Sequence, residues 1–169
     1  MLPDPQLDLP LGRAFDVAPR RARKAPADAA WRDAAPLTYL GRSITLKLDG
    51  ARDRAELAGD HLFLPLPPEA EAAQIRDRAQ GWLQGEAKRL LAERLAQCAA
   101  RLDLPTPAWQ LAFTAGLSVD IAADGRLRLP WRLVQLAAVD IDRRLLALLE
   151  PLRSRAAARD LWDAAPLSA

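Results

Sequence analysis

The residues of this chain that could do chemistry are few. Among 169 residues there is one histidine, His61, and one cysteine, Cys98. A cysteine nucleophile needs a histidine beside it, but these two fall in different elements. His61 stands at a turn, "AGDH", and reads as a solvated turn residue. Cys98 lies on the apolar stripe of a long helical stretch and reads as a small core residue. Asp140 and Asp142 are two positions apart, so on a helix they point to different sides. They suit a helix cap better than an acid–base pair. The serines at 43, 118, 154 and 168 stand in no nucleophile motif. Arg20, Arg21, Arg23 and Lys24 form the densest charge run, which could touch phosphate or an acidic partner.

Composition narrows the classes. Half of the chain is hydrophobic, enough for one domain with a real core. A formal net charge of +2 is too small a bias to make the whole chain a nucleic-acid binder. One cysteine excludes an internal disulfide and points to a reducing compartment. The start, "MLPDPQLDLPLG", carries Asp and Pro where a signal peptide needs an apolar run. No stretch approaches the roughly eighteen apolar residues of a membrane span. These features predict a cytoplasmic protein of bacterial type.

The elements that must position these residues follow from periodicity. Residues 1–36 are rich in Pro, Arg and Ala with few large apolar groups, and are expected to be a disordered or extended tail. In "SITLKL", Ile44, Leu46 and Leu48 share one side of a strand. "RAELAGDHLFLPL" reads as two strands around a Gly-Asp turn, so 37–66 is expected to be a small antiparallel sheet. Pro67 and Pro68 stop it, and Pro68 with the following glutamates suits a helix start. The stretch 70–102 then predicts one long amphipathic helix, with Ile75, Ala79, Trp82 or Leu83, Leu90, Leu91, Leu95, Cys98 and Leu102 inward. Three short strands follow, at 109–115, 117–122 and 126–131, with "AADG" as the last turn. A helix capped by Asp140 or Asp142 comes next, with Ile141, Leu145, Leu148, Leu149 and Leu152 on its buried face. Pro151 lacks the N–H that would bond back to Ala147 and should kink or stop it. Ser154 would cap a final helix. The order gives an α+β fold.

At this point the sequence resembles a known family. "WLQGEAKRLLAERLAQCAARLDLPTPAWQL" and "ADGRLRLPWRLVQLAAVDID" are similar to the YgjP-like small zinc metallopeptidases, relatives of the SprT-like proteases. The resemblance covers roughly 31–165 and implies a minimal zincin-like scaffold, as one domain over 37–167. Within it, 37–66 would be the hairpin sheet and 67–167 a degenerate catalytic core. Gly125 matches the family's turn glycine, and Trp131, Arg132 and Leu133 match its Trp-Arg-Leu strand, with Pro130 in place of Asn. Ile141 and Asp142 match the pair that opens the active-site helix.

Counted on from there, the resemblance places Ala147 at the first zinc histidine, Leu148 at the catalytic glutamate and Pro151 at the second histidine. Leu161 and Trp162 fit a Phe-Trp pair, which places Ala157 at the third histidine. Ser118, Val119, Asp120 and Ile121 replace the family's Trp-Gly-Ser-Cys. A catalytic zinc needs three protein ligands and an open position for water. Methyl, isobutyl and pyrrolidine groups offer it no lone pair. The expectation is therefore an inactive homologue, a pseudoenzyme whose ancestral zinc is lost. Its role would be binding a protein partner or regulation. Ala147, Leu148, Pro151 and Ala157 are expected to line the former metal place, which side chains fill or which stays a dry apolar hollow. Two alternatives stand beside this: an active zinc hydrolase, and weak nucleic-acid contact through Arg20, Arg21, Arg23 and Lys24.

Overall fold

The computed structural model describes residues 31–163, with side chains described as far as Arg155. It shows an α+β fold of two small mixed sheets and two long helices. The first sheet holds β1 (Pro36–Tyr39), β2 (Arg42–Leu48), β3 (Glu56–Ala58) and β4 (His61–Leu64), in the order β1-β2-β4-β3. Alternation puts Leu37, Tyr39, Ile44, Leu46, Leu62 and Leu64 on its buried face. The expected turn at Gly59–Asp60 does join β3 and β4 as an antiparallel pair. The expectation of a wholly antiparallel sheet does not hold, because β2 and β4 run parallel, from Thr45 opposite His61 to Leu48 opposite Leu64. A period of two reads the same for either strand direction, so the pattern could not reveal it.

The packed unit also begins earlier than the expected boundary between 36 and 37. Trp31 packs on the core and Ala35 is buried. Ala34 N–H donates to Leu46 C=O at 3.0 Å, and Leu48 N–H donates to Asp33 Oδ1 at 3.0 Å. The rest of the expected tail, 1–30, lies outside the described residues.

Helix α1 (Ala72–Ala100) is the longest element among the described residues, where its stripe predicts a long helix. Its N-cap is Glu71, whose N–H donates to Gln74 Oε1 at 3.0 Å, rather than the prolines upstream. Ile75, Ala79, Leu83, Ala87, Leu91 and Leu95 are buried at steps of four, and Leu90 and Cys98 fill the next row. Each fully buried Leu or Ile contributes about 1.5–3 kcal/mol of transfer free energy. Past Ala100, Asp103 takes a left-handed conformation (φ 55°) and Leu104 N–H bonds to Ala99 C=O at 3.0 Å, ending the helix ahead of Pro105.

The second sheet has β5 (Trp109–Ala112), β6 (Asp120–Ile121) and β7 (Leu127–Pro130), with β7 central, parallel to β5 and antiparallel to β6. The strands are shorter than their apolar runs, above all β6. A 3-10 helix (Trp131–Gln135) follows β7 directly, and then α2 (Ala138–Asp163). Helix α1 packs chiefly on the 3-10 helix, on α2 and on β4. Contact between α1 and the second sheet is thus made mainly through the segment that follows β7, although Leu127 and Leu129 join the same core.

The turn between β1 and β2 locks the two halves together. Leu40 N–H donates to Val134 C=O at 2.8 Å and Gly41 N–H to Gln135 C=O at 3.1 Å. Gly41 has φ +76°, and a Cβ there would stand 2.8 Å from Ala137 Cα. Only glycine allows both the conformation and the approach.

Candidate functional site

Helix α2 carries Ala147, Leu148, Pro151 and Ala157, the positions that the resemblance assigns to chemistry. It begins at Ala138, ahead of both aspartates, so neither Asp140 nor Asp142 is its cap. Asp140 sits in the first turn, where a carboxylate suits the helix dipole, and accepts from Arg143 at 3.0 Å. Asp142 turns the other way and accepts from Arg94 Nη1 of α1 at 2.8 Å.

The helix runs on past Pro151, so the expected stop does not occur. Proline removes one backbone bond, and the freed carbonyl is that of Ala147. Ala147 and Pro151 are both exposed, so solvent can reach that carbonyl. Ser154 does not cap a new helix. Its Oγ donates back to Glu150 C=O at 3.2 Å within the same one.

Continuity decides the geometry of the site. Ala147 and Pro151 are one turn apart and share a face. Leu148 is half-buried and packs on the core, beside the fully buried Leu145 and Leu149. Ala147 and Pro151 do not fill an inner space as expected, but face outward. Ala157 lies in α2, with its side chain outside the described residues. Ten residues of unbroken helix carry its backbone about 15 Å along the axis from Ala147. That exceeds what two ligands of one ion allow. The four positions therefore do not converge, because the turn needed to bring the last one back is replaced by helix. Near the first of them, Arg144 Nη1 donates to Leu117 C=O at 3.4 Å, laying the β5–β6 connection against this face.

The residues present do not fit a zinc ion. The positions carry no donor side chain, and the chain's single histidine cannot supply the two that His-Glu-x-x-His needs. His61 is exposed on β4, its ring 6.2 Å from that of Phe63. Cys98 is 1% exposed on α1, and its thiol faces Asp142 C=O at 4.0 Å. Burial, and then the charge of Asp142, pushes that thiol up, away from the nucleophilic thiolate. The two residues are thus on the surface and in the core respectively, as their places in the sequence suggest. Among the described residues, no group of three or more His, Cys, Asp or Glu side chains could hold a metal ion. The exposed serines at 43 and 118 stand alone. Arg20, Arg21, Arg23 and Lys24 lie outside the described residues.

The YgjP-like metallopeptidase domain matches residues 16–142. The chain belongs to that family. No curated protein and no solved structure matches it. The YgjP-like match starts 15 residues before Trp31, earlier than the quoted motifs indicate, and it ends at Asp142. Ala147, Leu148, Pro151 and Ala157 therefore lie outside the matched residues. Among the described residues, no helix is long and apolar enough to cross a membrane.

One cluster was not legible from spacing. Tyr39 Oη donates to Glu86 Oε2 at 3.0 Å, and Arg89 Nη2 donates to the same oxygen at 2.9 Å. The Arg89 bond, with help from Tyr39 and against burial, holds the Glu86 carboxyl below its ordinary range. Burial first, and Glu86 second, raises the Tyr39 phenol above its ordinary value. The ring of Trp82 lies 5.1 Å from that of Tyr39, tilted by 54°. The only signal in the sequence was Trp82 itself, placed at the edge of the helix stripe.

Proposed function

We propose that this chain is a catalytically inactive homologue of the YgjP-like metallopeptidases, keeping their scaffold as a protein-binding or regulatory module. The observation that carries this is the side-chain chemistry of one helix face. Where the family frame calls for His, Glu and His, α2 presents Ala147, Leu148 and Pro151. None can ligate zinc or take a proton from water. The reading rests on Ala147, Leu148 and Pro151 alone, since the continuous α2 carries Ala157 away from them. A leucine packed on the core where a buried glutamate would stand also removes a desolvation cost, and so favours the fold.

Metal analysis of the purified protein, paired with a peptidase assay, tests it. The expected result is no stoichiometric zinc and no cleavage. One tightly held zinc per chain, lost together with peptidase activity on chelation, would overturn the reading. The triple change Ala147→His, Leu148→Glu, Pro151→His restores donors one turn apart. It should give at most weak zinc binding, because the third position remains distant.

A further inference from the structure

A trough runs along α1, between that helix and the 53–57 segment leading into β3. One end is a cleft of about 680 Å³ whose lining includes Arg54, Asp77, Arg78, Gly81 and Trp82. The adjoining hollow shares Arg54 and Trp82 and adds Tyr39, Gly85, Glu86 and Arg89. Trp82 is common to both. Its ring rests on Tyr39, and Tyr39 is held by Glu86, so this aromatic floor is fixed in place.

Gly81 and Gly85 stand on either side of Trp82, one helical turn apart. Glycine weakens a helix interior relative to alanine. Here a Cβ at either position would meet nothing within 4 Å. No part of the described chain uses the bare backbone these glycines leave. A surface of that kind lets another backbone come close.

The charges around the trough are unequally satisfied. Asp77 is paired with Arg76, Glu56 with Arg52, and Glu86 with Tyr39 and Arg89. Among the described residues, Arg54, Arg78 and Asp53 have no partner. Two guanidinium groups and one carboxylate of the lining are thus left free.

We propose that this trough binds an extended acidic peptide segment of a partner protein. An apolar side chain of the peptide rests on Trp82, its backbone passes over Gly81 and Gly85, and a carboxylate lies between Arg54 and Arg78. A single-stranded nucleic acid could also stack on a tryptophan. Four carboxylates around the trough, those of Asp53, Glu56, Asp77 and Glu86, oppose a continuous polyanion, whereas a peptide needs to place only one negative group. The assignment deepens the proposed binding role and rests on it, but does not depend on the zinc chemistry of α2.

The test is selection from a displayed library of random dodecapeptides on the full chain, followed by titration of the enriched peptides. They should carry Asp or Glu beside large apolar residues. Affinity should fall at least tenfold in Arg54→Glu/Arg78→Glu and in Gly81→Leu/Gly85→Leu. Both double variants should fold, as checked by circular dichroism, because the arginines are unpaired and the glycines have open space. Enriched peptides that bind both variants as well as the parent would overturn the trough while leaving a binding role elsewhere. No enrichment, enrichment of basic peptides, or displacement by single-stranded DNA of matching length would also overturn it. None of these outcomes touches the metal analysis, so the two readings fail separately.

Discussion

Arg94 on α1 and Asp142 on α2 meet at 2.8 Å with side chains only 21% and 29% exposed, tying the long helix to the start of α2. Arg94 Nε is buried and has no partner in the protein, so the guanidinium depends on Asp142 for its charge compensation. Removing one member of such a pair costs more than removing both. Asp142→Ala should therefore destabilise by about 1–3 kcal/mol. The joint change Arg94→Met/Asp142→Leu should cost less than the sum of the single changes. Urea unfolding of the four proteins in a double-mutant cycle measures this. Strict additivity would show that the contact contributes nothing.

Gly41 and the α1 glycines should respond in opposite directions to alanine. At Gly41 the positive φ and the 2.8 Å approach to Ala137 leave no room, so Gly41→Ala should destabilise by about 1–3 kcal/mol. At Gly81 and Gly85 nothing crowds the new methyl group, and each change should stabilise by about 0.5–1 kcal/mol. Melting temperatures of the three variants check both signs.

The Glu86 cluster gives the protein a defined response to pH. The native carboxyl is held below its ordinary value, so the native state binds fewer protons than the unfolded one. Its stabilisation is present above the unfolded carboxylate value and is lost as pH falls through the depressed native value. Tyr39 behaves oppositely at the alkaline end. Its phenol is raised, so its contribution holds below the unfolded value of about 10 and is lost as pH rises toward the native one. Glu86→Gln should be less stable than the parent at neutral pH, and the difference should shrink in acid. A constant difference from neutral to acid would show that the ion pair with Arg89 is not the cause.

Pro151 offers a direct probe of α2. The residue is exposed and the helix passes through it. Proline in a helix interior costs about 3 kcal/mol relative to alanine. Pro151→Ala should raise both the melting temperature and the helical signal in the far ultraviolet. An unchanged stability would mean that the proline already sits in a relaxed local geometry.

What the sequence revealed, and what it hid, follows from which interactions leave a periodic trace. Ile44, Leu46 and Leu48 announced a strand and the steps from Ile75 to Leu95 announced a helix, because one face of each is buried. The turn at Gly59–Asp60 was legible because it needs special residues. Strand direction leaves no such trace, and β2 beside β4 was misjudged. Pro151 does not end α2, because propensity is a weak prior against the packing of Leu145, Leu149 and Leu152 on the core. At Ala147, Leu148, Pro151 and Ala157 the lack of donors is plain from residue types alone. The roughly 15 Å of helix between Ala147 and Ala157 is not, since it depends on whether one proline ends an element. The stripe leaves Trp82 or Leu83 as the inward residue; Leu83 is buried and Trp82 lies half-buried on Tyr39, because a residue at the edge of a stripe can face either way.

The bonds from Leu40 and Gly41 to Val134 and Gln135 bear on how the chain is made. The β1–β2 turn finds its partners only in a segment translated roughly ninety residues later, a long loop to close in kinetic terms. Until that segment leaves the ribosome, the first sheet keeps an open flank and α1 lacks the 3-10 helix it packs against. Neither half reaches its final form early in synthesis. The nascent chain exposes its leucine-rich faces for most of its production, so exposure to chaperones and proteases is set by the arrival of Trp131–Gln135 rather than by the completion of any earlier element.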